Sequence, residues 1–152
     1  MKTCSEVMTK DPVCCLPTDS AATAAQLMKN ENIGSILVVE NEQNRTLVGI
    51  VTDRDLALTI VAEHQDAKSV PVEAVMTRRL VICRADDDLE KALRAMAEHQ
   101  LRRIPIVDND NKLVGIIAQA DVATRVDEPE RTGEMVKEIS QEQPFANDSL
   151  GG

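Results

Sequence analysis

Hydrophobic and polar positions follow one plan twice along the chain. A short apolar run, Val13 to Leu16 or Val81 to Cys83, leads into Thr18-Asp19-Ser20 or Asp86-Asp87-Asp88. Acidic and hydroxyl side chains of this kind cap helix N-termini. Small and apolar residues then recur at helical spacing, Ala21, Ala24, Ala25 and Met28 in one stretch and Leu89, Ala92, Leu93 and Met96 in the other. That spacing gathers them on one helix face. Next come β-branched runs, Ile36-Leu37-Val38-Val39 and Ile104-Pro105-Ile106-Val107, a polar turn (Glu40 to Thr46; Asp108 to Lys112), and a second apolar run, Leu47 to Val51 or Leu113 to Ile117. The pattern predicts a hairpin of two mostly buried strands. A closing helix is expected from near Asp53, with Leu56, Ile60 and Val61 as its apolar positions, and from near Gln119, with Val122 and Val126.

The two stretches match residue by residue. Val7-Met8-Thr9 recurs 68 positions on as Val75-Met76-Thr77, and the same offset lays Val13, Cys15, Asp19, Ala24, Met28, Ile36 and Val39 on Val81, Cys83, Asp87, Ala92, Met96, Ile104 and Val107. Two residues drop out of the hairpin turn, after which Leu47-Val48-Gly49-Ile50 meets Leu113-Val114-Gly115-Ile116. The chain is therefore a tandem duplication of a β-α-β-β-α unit, α+β in class. The first repeat spans 1-66, the second 67-126, with a link from His64 to Glu73, and 127-152 form an acidic tail whose one apolar cluster is Met135, Val136 and Ile139. A unit of roughly 60 residues buries too little surface to stand alone. The copies are expected to pack as a pseudo-twofold pair.

Composition narrows the partners. Seventeen Lys and Arg stand against 26 Asp and Glu, a formal charge of −9 over 152 residues, without a basic run. Phosphate-backbone binding has no electrostatic footprint here, so nucleic acid is not an expected partner. Phe145 is the lone aromatic residue, which leaves no stacking platform for single strands. The start, Met1 to Glu6, has no apolar signal region, and no stretch approaches the ~18 apolar residues of a membrane span. No membrane association and a cytoplasmic location are expected. Cys4, Cys14, Cys15 and Cys83 lack zinc-type spacing and are expected to be buried, reduced thiols. His64 and His99 sit at predicted helix ends, as partners of the helix dipole. Nucleophile-elbow, zinc-helix and phosphate-loop motifs are missing. The acidic triplet at Asp86 is accounted for by a helix start, so neither an enzyme nor a metal site is expected.

Val-Met-Thr, a short strand, a helix ending near Met28 or Met96, and an apolar strand followed by Leu47-Val48-Gly49-Ile50-Val51-Thr52-Asp53-Arg54-Asp55-Leu56 together resemble the CBS motif, named for cystathionine β-synthase. Two copies resemble a CBS pair, or Bateman module, over residues 4 to 126. The resemblance implies a stand-alone regulatory module that binds an adenosyl ligand, AMP, ADP, ATP or S-adenosylmethionine, in clefts between the two motifs. It implies a homodimer, no required cofactor, and an unidentified regulated protein on a separate chain. The alternative is a structural or interaction protein that keeps the fold without a functional nucleotide site.

Within that resemblance the pattern Gly-h-x-Thr/Ser-x-x-Asp is matched throughout by Gly49 to Asp55, including Ile50. Gly49 permits close backbone approach. Thr52 and Asp55, three apart at a strand-to-helix turn, either aim a hydroxyl and a carboxylate at ribose hydroxyls or simply cap the helix. The family's crosswise plan implies that this cleft uses Leu80 and Val81 as adenine walls and Leu101, Arg102 and Arg103 on the phosphate side. Guanidinium groups bind phosphate oxygens in a fork. The alternative for the two arginines is a surface pair with Asp108 or Glu98; Arg54 is either a phosphate contact or a solvated helix residue. The second cleft would combine Ala118 and Asp121 with Thr9, Pro12, Val13, Gly34 and Ser35. It lacks the hydroxyl at Ala118 and any cation, so it is expected to be empty, weak, or suited to a less charged adenosyl ligand. For the dimer, Ala21, Ala24 and Ala25 offer a face for close helix approach.

Overall fold

A computed structural model describes residues 2–120 and 122. The expected site residue Asp121, the helix position Val126 and the whole 127-152 tail, with Met135, Val136, Ile139 and Phe145, lie outside the described residues. Helix α1 (Cys4–Val7) and strand β1 (Thr9–Lys10) precede the first β-α-β-β-α series: β2 (Cys14–Cys15), α2 (Ala21–Glu31), β3 (Ser35–Val39), β4 (Leu47–Thr52) and α3 (Asp53–Leu56). A single 3-10 turn, Val72–Ala74, leads to β5 (Cys83–Arg84), α4 (Leu89–Glu98), β6 (Arg103–Val107) and β7 (Leu113–Ala118).

The repeats agree down to their irregularities. β3 and β4 pair antiparallel with a register shift between Val38 and Val39, and β6 and β7 do so with one between Ile106 and Val107. β2 joins β3 in parallel, as β5 joins β6. β4 and β7 alternate between buried and half-buried positions, whereas β3 and β6 are buried on both faces beyond their first residue. Both main helices end on a residue in the left-handed region, Asn32 after α2 and Gln100 after α4. Ser20 caps α2 by accepting a hydrogen bond from the Thr23 N–H.

Compact units do not coincide with the repeats as they run along the chain. Among the described residues, one unit is Val13–Leu80; the other joins residues 2–12 to residues 81–120. In the second, the sheet runs β1-β7-β6-β5, with Thr9 opposite Ile116. In the first, a bridge between Thr77 and Ile50 takes the corresponding place beside β2-β3-β4. Each Val-Met-Thr segment thus lies on the last strand of the repeat to which it does not belong in sequence. The end of the link is part of this packing: the Ala21 N–H donates to the Val70 carbonyl at 2.8 Å, and Val72 is fully buried.

Close approach explains both hairpin glycines. A Cβ at Gly49 would lie 2.6 Å from Met76 Sδ, and one at Gly115 would collide with Met8 Sδ. Neither glycine has a positive φ. Packing of a methionine, rather than backbone freedom, demands glycine at both positions.

Three expectations need correction. Cys14 is half-buried, unlike the buried Cys4, Cys15 and Cys83. Ala21 and Ala24 are 1% and 0% exposed, so they offer no open face to a second copy; Ala25 is exposed. Val61 is not a core position. The helix begun at Asp53 widens into a π-helical turn over Ala57–Val61, with the Ala62 N–H donating to the Ala57 carbonyl. The extra residue in the turn shifts the helical phase, so Ile60 is buried while Leu58 and Val61 point to solvent.

Candidate functional site

Two strand-to-helix turns sit at equivalent places in the two units. In the Val13–Leu80 unit, β4 ends on Thr52, whose partner across the hairpin is Ser35. The Asp53 N–H donates to the Gly34 carbonyl at 2.9 Å. Thr52 Oγ1 accepts from the Asp55 N–H at 3.0 Å, and Asp55 Oδ2 accepts from the Thr52 N–H at 3.0 Å. This reciprocal cap holds hydroxyl and carboxylate side by side, both half-buried. The cap uses the hydroxyl as an acceptor and a single carboxylate oxygen, which leaves the hydroxyl proton and Asp55 Oδ1 for a ligand. Arg54 points to solvent from the same turn. Ile50 exchanges both backbone bonds with Thr77, at 3.0 and 2.8 Å. Sequence reasoning names Thr9 but not its repeat counterpart Thr77, although the Val-Met-Thr identity points to both.

In the other unit, Arg103 stands opposite Ala118, and the Gln119 N–H donates to the Arg102 carbonyl at 3.1 Å. This is the bond between Asp53 and Gly34 repeated. The side chains differ in kind: Ala118 replaces Thr52, Gln119 replaces Asp53, and Arg102 and Arg103 replace Gly34 and Ser35. Arg102 Nε and Gln119 Nε2 are both buried donors without an acceptor. A buried, unsatisfied N–H costs about 1–3 kcal/mol, so such a pair is unusual in a finished structure. The surface ion pair with Asp108 or Glu98 is not formed by Arg102 among the described residues. In this unit Lys91 pairs with Asp87 and Arg94 with Glu90, and Arg84 donates to the Asp108 carbonyl.

The remaining expected positions divide between the units. Gly34, Ser35, Gly49, Ile50, Thr52, Arg54, Asp55, Val13 and Leu80 belong to the first; Thr9, Pro12, Val81, Leu101, Arg102, Arg103 and Ala118 belong to the second. Gly34 and Ser35 therefore accompany Thr52, and the arginines accompany Ala118. Val81 and Leu101 pack on the aliphatic cluster built from Leu89, Met96 and Ile104. Val13 is exposed at the start of its unit, and the surface of Gly49 is taken up by Met76. Among the described residues no group of three His, Cys, Asp or Glu side chains is placed to hold a metal ion, and no helix is long and apolar enough to cross a membrane.

Comparison with known proteins bears on both turns. The chain is 39% identical over 142 residues to the CBS domain-containing protein YhcV of Bacillus subtilis strain 168, covering 93% of this chain and 98% of that protein. It is 40% identical over 136 residues to YlbB of the same organism, covering 90% of each. Among solved structures, CBSX2 in complex with AMP superposes with a TM-score of 0.68 at 28% identity, over 90% of this chain and 99% of that one. The family model described as CBS domain matches residues 4–62 and again residues 72–128. Two copies of one motif, each with its own sheet and its own strand-to-helix turn, make this chain a member of the CBS-domain family.

Proposed function

We propose that the chain is a regulatory, non-catalytic module that senses an adenosyl ligand of the AMP, ADP or ATP class and signals to a separate protein. The observation that carries this reading is the Thr52–Asp55 turn. A hydroxyl proton and a free carboxylate oxygen, fixed three residues apart by a reciprocal cap, match the two hydroxyls of a ribose. The AMP in the CBSX2 structure supports the ligand class. Arg102 and Gln119 add donors suited to phosphate or ribose oxygens at the equivalent turn of the other unit, where Ala118 offers no hydroxyl. S-adenosylmethionine is the less charged member of the same class. Binding shifts the regulated protein only insofar as the ligand prefers one of two states of this module.

Calorimetric titration with AMP, ADP, ATP, S-adenosylmethionine and adenosine tests the reading. Saturable binding of at least one is expected, retained by Thr52→Ser and lost by Thr52→Val, since serine keeps the hydroxyl and valine keeps only the shape. The reciprocal cap itself favours a second reading, an interaction protein whose Thr52 and Asp55 serve the helix start alone. A panel in which no compound binds or raises the melting temperature selects that second reading.

A homodimer is the quaternary state we infer, and the exposed Leu58 and Val61 support it as apolar surface. Light scattering that gives the monomer mass over a wide concentration range would remove it.

A further inference from the structure

Two thiols far apart in sequence meet in the unit that contains the second repeat. Cys4, in α1, and Cys83, in β5, are 0% and 2% exposed and share one cluster with Leu89, Ala92 and Ile106. α1 is hung on the turn that follows β5. The Cys4 N–H donates to the Asp87 carbonyl and the Ser5 N–H to the Ala85 carbonyl, each at 2.9 Å, while the Leu89 N–H donates back to the Lys2 carbonyl at 2.9 Å. Cys4 Sγ reaches the Asp88 carbonyl at 3.8 Å and is a hydrogen-bonding neighbour of the Cys83 sulfur.

The two thiols differ in surroundings. The adjacent Cys4 sulfur and Lys91 draw the Cys83 pKa below the ordinary thiol value, against burial and Asp87. Cys4 moves the opposite way, held protonated by the adjacent Cys83 sulfur and by burial.

The Val13–Leu80 unit supplies an internal control. The 68-residue offset lays Cys4 on Val72 and Cys83 on Cys15, and these two share the corresponding cluster at 0% and 2% exposure. Burial pushes the Cys15 thiol up to about 12. Valine opposite cysteine satisfies the packing at this place, so a second thiol in the other unit is not demanded by the core.

We propose that Cys4 and Cys83 form a reversible, disulfide-forming dithiol site whose co-reactant is a peroxide. One of the two sulfurs, as its thiolate, attacks one oxygen of hydrogen peroxide. The O–O bond breaks, hydroxide leaves and takes up the proton that thiol had released, and that cysteine becomes a sulfenic acid. The other sulfur then attacks it, the S–S bond forms, the S–O bond breaks, and the departing hydroxide takes the second thiol proton as water. Two thiols lose two electrons in total and the peroxide is reduced to two waters. A small dithiol reverses the reaction by exchange. The disulfide would tie α1, and with it β1, covalently to the sheet edge at β5.

Both sulfurs are buried, so oxidation waits on the lifting of α1, a four-residue helix, and is expected to take minutes to hours rather than seconds. The full-length chain, treated with hydrogen peroxide and then alkylated under denaturing conditions, should lose the mass of two hydrogens. Peptide mapping should show one Cys4–Cys83 linkage, with Cys14 and Cys15 alkylated. Dithiothreitol should restore four alkylatable thiols. The oxidised protein should melt several degrees higher. Cys4→Val, which reproduces Val72 of the other unit, should fold, form no linkage, and carry peroxide oxidation on at Cys83 alone. A linkage through Cys14 or Cys15, a linkage only between chains, or four alkylatable thiols after prolonged peroxide treatment would each overturn the proposal. The mapping of the parent chain decides this even if the variant fails to fold.

Discussion

Thr52 and Asp55 present acceptors and a hydroxyl at the end of β4, while Arg102 and Gln119 present buried donors at the end of β7, although the backbone at the two turns is the same down to one interstrand hydrogen bond. The comparison separates frame from chemistry. The frame comes from positions that both copies keep: the hairpin glycine, the methionine seated on it, the strand alternation and the shifted register. Chemistry comes from four pairs of positions that differ: Thr52 and Ala118, Asp53 and Gln119, Gly34 and Arg102, Ser35 and Arg103. A duplicated fold therefore carries two turns of unlike chemistry on one frame.

The largest expected effect tests whether the turns are unequal in ligand binding. Asp55→Asn keeps an oxygen for the cap but loses the charge, and should weaken the best adenosyl ligand by about 1.5–3 kcal/mol, roughly 10- to 150-fold. Asp121→Asn should change it far less, because Ala118 leaves that turn without its hydroxyl. Equal losses in calorimetry would erase the distinction.

The glycines sharpen the comparison of frames. Gly115→Ala would bring a Cβ to 2.7 Å from Met8 Cγ and 3.0 Å from Met8 Cβ, an atom that no rotamer moves. Gly49→Ala meets chiefly the Met76 side-chain end and the Thr77 carbonyl. Overpacking of this kind costs about 1–3 kcal/mol. Denaturant unfolding should place Gly115→Ala as the more destabilised of the two; the reverse order would mean that Met8 yields more easily than Met76.

Arg102→Met removes a buried donor that has no acceptor. In the free protein it should leave the melting temperature unchanged or raise it, and in the presence of nucleotide it should reduce the ligand-induced rise, an opposition on the order of 1 kcal/mol. A variant that is destabilised without ligand and unaffected with it would assign Arg102 to structure alone.

Smallest is an effect of pH on the hairpin turns. Asp108 accepts the N–H groups of Asp110 and Lys112, and these bonds hold its carboxyl below the ordinary value. The first repeat builds its turn on Asn41, which accepts from Gln43 and Asn44 and does not titrate. A lowered native pKa means stability that is present above the unfolded value and lost as pH falls through the folded one. Acid melting curves of Asp108→Asn should therefore be slightly flatter below about pH 4 than those of the parent, the ordinary range of a free Asp. Parallel curves would show that the turn contributes nothing.

Periodic features are legible along the chain itself. α2, α4 and both hairpins carry enough residues for the spacing of Ala24 and Met28, or the alternation through Leu47, Gly49 and Val51, to declare itself, and the repeat doubles each signal. The Thr52–Asp55 turn is legible as a motif for the same reason. Segments too short to have a period are not: β1 is two residues, the 3-10 turn three, and nothing local in Val7-Met8-Thr9 says that it pairs with β7. The π-helical turn that exposes Val61 is likewise invisible in a pattern that fits an α-helix.

Sequence alone thus determined the class, the duplication and the residue types available for recognition, because these depend on neighbours along the chain. Tertiary structure decided which residues share a unit. It exchanged the Val-Met-Thr segments between repeats, set the arginines beside Ala118 rather than Thr52 within a unit, left Arg102 Nε and Gln119 Nε2 without acceptors, and brought Cys4 to Cys83. Each of these is a contact between distant positions, and contacts of that kind are selected by the burial of whole surfaces, which no local spacing encodes.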